Sequence, residues 1–533
     1  MSTPSAQNGS ALLSKDAERP MWQTGLVSVL AAALVGFLFY YLLPAAELEL
    51  PGSLMSGMNI IFLLVLLIAG YAYLEFLKYI HKHPQDFLLF LSLAGPCIIF
   101  SAILGHEVGV NPHPTPLIAA LALLPMGLML WKKVPELYAR YPYIRAISIY
   151  TGMVTLYFFF YHNNFAASQT ATAASQGLDG NQSQHSILFF DGIYQFFICC
   201  AGVYIVGQAR DFMKLFGRFN TCLSIFAIAS SVIPLFFFLT AQRFGIYLEG
   251  LFRFSGIYYH PNLNALYLDF ISLYLLGVAL YYRTWTKRSF LLPGLGSFFA
   301  LVGSLFSMSK TSLFSYAVLL VALLFAYMLL NNISLKRLIG FVLTFAFACF
   351  LLSIIVNALT DGMLLTTLLS RFEDNGSLEW RLKLWGEIID GFDLRTLLFG
   401  NGLGTAVPKV IGMRFHVAGD MPDANALNMH NTVLQNVYEL GLLGLSSLVG
   451  IVFAILDPLR LVKNNDARNK KELYFLISLQ AIITLFYLAY LLVNFNSYIY
   501  ASIYWLITSV LYTVIIKRFW AQHHSTPLEG YHE

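Results

Sequence analysis

Charge is scarce in this sequence. Only 11% of its 533 residues are Asp, Glu, Lys or Arg, against about 25% in an ordinary soluble domain. A chain that is 58% hydrophobic, with a mean hydropathy of +0.67, cannot coat itself with water-compatible surface. A soluble globular protein is therefore excluded, and lipid has to act as the solvent. Cysteine is scarce too. The five cysteines (Cys97, Cys199, Cys200, Cys222 and Cys349) all lie within apolar segments, and none is spaced for a disulfide framework or a metal cluster. The first apolar segment, from about Trp22 to Leu43, lacks an A-x-A-like cleavage site and is too long for a signal-peptide core, so it reads as a retained anchor. The net charge of +4 reflects little beyond the asymmetry described next, and no nucleic-acid partner is expected.

Long apolar runs are abundant. Segments able to cross a bilayer (about 20 residues each) recur about fourteen times. After the first, they centre near Leu66, Leu93, Leu121, Val154, Cys199, Ile228, Leu273, Phe298, Leu320 and Phe347. Past a long polar gap, the last three centre near Gly444, Ile483 and Leu506. With the N-terminus inside, 23 of the 32 Lys and Arg residues fall on the cytoplasmic side, as the positive-inside rule requires. The expected fold is an all-α polytopic bundle in the inner membrane. It divides into a cytoplasmic tail (1–21), a bundle of about eleven helices (22–357), a folded periplasmic loop (358–430), three more membrane helices (431–517) and a cytoplasmic tail (518–533).

Two external loops are longer than the rest. The Ala/Ser/Thr/Gln stretch from about Asn163 to His185 is low in complexity and reads as a mobile linker. The polar gap is different. Within it Leu378, Arg381, Trp385, Ile388 and Phe392 keep helical spacing on one face. Arg381 is the one cation on that stripe, a costly placement unless it meets an anion or reaches the interface. Gly400, Gly402 and Gly404 follow, and repeated glycine lets backbone N–H groups approach an anion.

The few external cations sit in three places: Arg253, ahead of His260-Pro261-Asn262; Lys310, in a minimal turn after Ser307 and Ser309; and the large loop with Arg371 and Arg381. The loop ends at Met429-His430-Asn431-Thr432, where Thr432 to Gln435 fits a capping box at a helix start. A His beside the positive end of a helix dipole is kept neutral, the state a general base needs. Gly441 and Gly444 form a small-residue pair suited to close helix packing. Cations, glycine backbone and a single His at the outer face suit a lipid diphosphate. The cations would stabilise the leaving group and the His would deprotonate an attacking hydroxyl.

Plainer readings stand beside these. Arg381 also suits stacking on Trp385, and Arg253 suits pairing with Glu249. Lys310 suits a helix anchor, and the glycines suit a turn. Asp269, within a membrane helix, reads as a satisfied structural carboxylate or a functional one. Glu439 could orient polar groups between helices. His260 reads as a polar helix entry, and Asp420 and Asp423 are weak candidates for sugar contacts.

The pattern His430-Asn431, nine residues, Gly441-Leu-Leu-Gly444, preceded by Arg381-x-x-x-Trp385, Phe399-Gly400-x-Gly402-x-Gly404, and Arg253-x-x-Gly256 with Pro261-Asn262, resembles the bacterial O-antigen ligase and polymerase family from about Glu249 to Gly450. The resemblance implies a metal-independent, inverting membrane glycosyltransferase of the C-type fold with no cofactor. It would take a glycan from undecaprenyl diphosphate and pass it to lipid A–core (a ligase) or to another glycan (a polymerase). A transferase acting on protein Ser or Thr is a further member. By the same resemblance His430 matches the base, and Arg253 and Arg381 match cations at the diphosphate. Lys310 stands where many members have Arg. Asn262, Gly400, Gly402, Gly404, Asn431, Gly441 and Gly444 match supporting positions. From another class, a lipid-linked oligosaccharide flippase fits the number of spans, but transporters usually carry repeats with charge at the midplane.

Overall fold

The computed structural model describes residues 71–91, 125–175, 185–241, 261–334, 376–406 and 429–520, apart from a few positions inside these ranges, together with scattered residues between 336 and 369. Among the described residues the chain is helical throughout. The elements used below are α1 (Val134–Arg140), α2 (Pro142–Ser175), α3 (His185–Gln208), α4 (Phe212–Ala241), α5 (Pro261–Trp285), α6 (Leu291–Ser307), α7 (Lys310–Asn331), α8 (Gly376–Asp390), α9 (Leu394–Phe399), α10 (Thr432–Ile455), α11 (Ala467–Leu491) and α12 (Tyr498–Trp520). Among the described residues six helices are long and apolar enough to cross a membrane, within α4, α5, α7, α10 with the turn after it, α11 and α12. The chain is a multi-pass membrane protein. The expected span near Trp22–Leu43 lies outside the described residues, and those near Leu66, Leu93, Leu121 and Phe347 largely so.

One expectation changes. The stretch read as a linker from Asn163 is helical as far as Ser175, as the end of α2. Its repeated alanines favour helix over coil, which outweighs the low complexity of the sequence. Residues 176–184 are outside the described set.

Helix α5 is the hub. It packs against α6, α7 and α11, and its side chains from Asn264 to Tyr282 are almost all buried. Helices so enclosed need polar adhesion as well as apolar packing, because lipid tails are as apolar as leucine. Ser272 supplies it by meeting both Ser297 on α6 and the Tyr316 hydroxyl on α7 at 3.0–3.1 Å. Nearer the start of α5, the Asn264 amide donates to Ser307 Oγ at 2.8 Å, and Ser312 Oγ donates to Asp269 at 2.6 Å.

The bundle has a basic end. Here α5 and α12 finish with Arg283, Lys517 and Arg518. Arg518 grips Glu472, near the start of α11, through Nε at 2.6 Å and Nη2 at 3.1 Å. The Tyr281 hydroxyl donates to the same carboxylate at 2.7 Å. Lys517 Nζ donates to the carbonyls of Gly207 and Ala209 at the end of α3, where a cation complements the helix dipole. Helices α5, α7 and α10 begin at the opposite end, where the candidate site residues lie.

Candidate active site

Helix α10 begins at the site. Its N-cap is Asn431, whose side chain accepts the Leu434 N–H at 2.9 Å. The capping box expected from Thr432 to Gln435 is therefore one residue out of place. Asparagine is the better cap of the two neighbours and takes the role. His430 then precedes the cap and sits in a left-handed conformation, φ 49°, which His tolerates better than bulky or β-branched residues do. The residue is half-buried.

The residue before it, Met429, is fully buried against Leu384 and Ile388 of α8, with Ala406 and Leu434. The amphipathic face read from the sequence thus has its partner. Trp385 completes the attachment, its indole N–H donating to the Met429 carbonyl at 2.8 Å. Arg381 lies one turn before Trp385 on this face of α8, half-buried. Phe392, just beyond α8, stacks on Tyr438 of α10 at a centroid distance of 6.0 Å.

The glycines act through the backbone. Gly400 (φ 72°, ψ 179°) and Gly441 (φ 66°, ψ −163°) occupy a region open essentially to glycine alone. A Cβ on Gly400 would strike the Glu439–Leu440 peptide, and one on Gly441 would strike the Leu398–Phe399 peptide. The two chains are sewn together between them. Asn401 N–H donates to the Tyr438 carbonyl at 2.8 Å, and Gly402 N–H to that of Glu439 at 2.9 Å. Those two N–H groups are thus engaged with protein carbonyls. Gly441 also breaks α10 into two segments. A Cβ on Gly444 would meet the side chain of Leu440 across this break. Gly441 thus lets α9 approach α10 closely, as the sequence spacing suggested, and also forms the kink, whereas Gly444 faces its own helix.

Other contacts hold this unit on the bundle. The Tyr157 hydroxyl of α2 donates to the Phe399 carbonyl at 2.7 Å, and Tyr150 bonds Asn436 at 3.2 Å. Glu439, buried, accepts from Ala406 N–H at 3.2 Å and from Gln435 Nε2 at 3.3 Å. Asp393 caps α9 by accepting Thr396 N–H at 2.6 Å, and that hydrogen bond holds its carboxyl below the usual carboxylate range.

Lys310 opens α7 after buried Ser309, in the one-turn connection from α6. Ser312, two residues on, is tied to Asp269, and Asn262 lies in the first turn of α5 nearby in sequence to Asn264. At this end of the bundle Lys310 belongs to the α6–α7 turn, Arg381 to α8 and His430 to the turn before α10. Arg253, Gly404, His260, Arg371, Asp420 and Asp423 lie outside the described residues. Among the described residues no group of three or more His, Cys, Asp or Glu could hold a metal ion. Sequence reasoning placed Trp385 on the apolar face, in the motif with Arg381 and as its stacking partner, but gave it no hydrogen bond, and it missed Tyr157 and Asp393. An Asp three residues before a Thr at a helix start was a readable signal for Asp393. Tyr157 carries no local signal at all.

A multi-helix membrane protein in which α8 and α9 are fastened to the start of α10 at one end of the bundle is the class these features define. Residues 295–449 match the family model for O-antigen ligase. The resemblance read from the motifs is borne out over that segment, which carries Lys310, Arg381 and His430. It implies a glycosyltransferase-type enzyme. No curated protein matches the chain.

Proposed function

We propose that the protein transfers a glycan from undecaprenyl diphosphate to a hydroxyl of lipid A–core on the periplasmic face of the inner membrane, without a metal. The observation that carries this reading is the joining of α8 to the His430 turn through Trp385 and Met429, which ties the helix bearing a cation to a His at a helix N-terminus. His430 takes the proton from the acceptor hydroxyl as its oxygen attacks the anomeric carbon. The bond from that carbon to the diphosphate oxygen breaks, and undecaprenyl diphosphate leaves with the electron pair. Arg381, Arg253 and Lys310 offset the charge developing on the diphosphate. Attack opposite the leaving group inverts the anomeric centre.

The test uses purified protein in lipid with a glycan-loaded undecaprenyl diphosphate donor. Lipid A–core and a second donor molecule are offered as separate acceptors, with wild type and His430→Ala. Transfer to lipid A–core that vanishes in the variant supports the proposal. Chain lengthening without core transfer makes the enzyme a polymerase. No transfer to either acceptor, beside an active control enzyme, turns the assignment to a protein acceptor or to lipid-linked oligosaccharide transport.

A further inference from the structure

Below the His430 turn a cavity of about 60 Å³ opens between α10 and its neighbours α2, α3, α11 and α12. A single buried water needs only about 10–15 Å³, so the space admits more than one such group. Gln435 and Trp505 both line it. Each is more than nine-tenths buried (4% and 6% exposed), and each leaves one polar atom, Oε1 of Gln435 and Nε1 of Trp505, without a partner among the described residues. Unpaired polar atoms at that depth are costly.

The missing partner has a definite chemistry. Gln435 donates its amide N–H to Glu439. A carboxylate only accepts, so this bond fixes which end of the amide is turned away. What remains is one acceptor on Gln435 and one donor on Trp505, and a hydroxyl is the group that serves both. Among the described residues Glu439 also lines the cavity while no Lys or Arg does, so an anion such as diphosphate is disfavoured. Tyr487 and Trp505 add aromatic surface, their rings edge to face at 5.9 Å, suited to the C–H face of a sugar ring.

We propose that this cavity is a subsite for a neutral sugar of the acceptor, with Trp505 donating to, and Gln435 accepting from, its ring hydroxyls. The acceptor is favoured over the donor because Gln435 belongs to the first turn of the helix that His430 precedes. The hydroxyl to be deprotonated has to come within hydrogen-bond reach of that imidazole. The assignment to an acceptor rests on the transfer reaction proposed above; the preference for a hydroxyl does not.

Two measurements on the full-length protein in lipid nanodiscs test this. The variants are Trp505→Phe, which keeps the ring and removes the N–H, and Gln435→Met, which keeps the length and removes the amide. The first measurement is binding of a delipidated core oligosaccharide, without donor, by titration calorimetry. The second is transfer kinetics with acceptor and donor varied separately. Each variant is expected to weaken oligosaccharide binding and raise the acceptor KM by about tenfold, the loss of one hydrogen bond, with kcat and donor KM unchanged. Unchanged binding and unchanged acceptor KM would mean the cavity holds only water, and the proposal falls. A rise in donor KM alone overturns the assignment to the acceptor. Binding that depends on Trp505 and Gln435 in a protein that performs no transfer would uphold the sugar site while sinking the transferase reading.

Discussion

Gly400 rests on the peptide after Glu439, and Gly441 rests on the peptide after Leu398, so each glycine sits where the other's chain comes too close for a side chain. This reciprocal contact, with the two N–H bonds from Asn401 and Gly402, joins the connection after α9 to the helix that carries His430.

Alanine at either position is expected to be severely disruptive. Backbone strain alone contributes about 1–3 kcal/mol at such φ and ψ, and the Cβ also collides with main chain. Gly441→Ala and Gly400→Ala should lower the melting temperature in detergent and abolish transfer. Gly450→Ala, on the same helix with open space around it, should leave both unchanged.

Losing the cap should loosen the turn that presents the imidazole. Asn431→Ala is expected to cost about 1 kcal/mol and to lower kcat, while Asn431→Asp should retain most of both. Thermal unfolding and single-turnover transfer rates measure the two effects.

Trp385→Phe keeps the packing of α8 and removes only the N–H that reaches Met429. The net stability loss should be about 1 kcal/mol. The kinetic effect should be larger, because Arg381 and His430 lose their common register. A fall in kcat without loss of folded protein is the expected result, and an unchanged kcat would show that the bond does not position the site.

Acid should open α9 first. The Asp393 carboxyl is held below its ordinary range by the Thr396 N–H, so its contribution is fully present above the unfolded-state value and is lost as pH falls through the folded-state value. Hydrogen exchange at residues 394–399, corrected for intrinsic rates, should rise as pH falls into the carboxylate range. In Asp393→Asn that rise should be absent.

A double-mutant cycle between Asp269→Leu and Ser312→Ala should reveal a coupling of about 0.6–2 kcal/mol, the range for hydrogen bonds between membrane helices. Asp269→Asn, which still accepts from Ser312, should stay close to wild type. A much larger loss in Asp269→Asn would mean that the carboxyl group itself has a role beyond holding α7.

Local pattern made part of this structure legible. The stripe from Arg381 to Phe392 announced α8, because a face that must be buried repeats at helical spacing. The minimal polar interval between Ser307 and Lys310 announced the tight turn from α6 to α7. The break at Gly441 was hidden, since the apolar run through α10 is continuous and its interruption comes from Leu398, distant in sequence. The cap was misread by one residue because Asn431 and Thr432 are adjacent and both able to accept. Tyr157 was beyond reach, since its partner Phe399 lies 242 residues away and a lone tyrosine on an apolar helix reads as ordinary packing.

The break in α10 has a mechanical consequence. The nine residues before it are fastened to the connection after α9, and only those beyond it run on toward the basic end. The direction of the short segment behind the histidine is therefore set by the α8–α9 platform rather than by the remainder of α10.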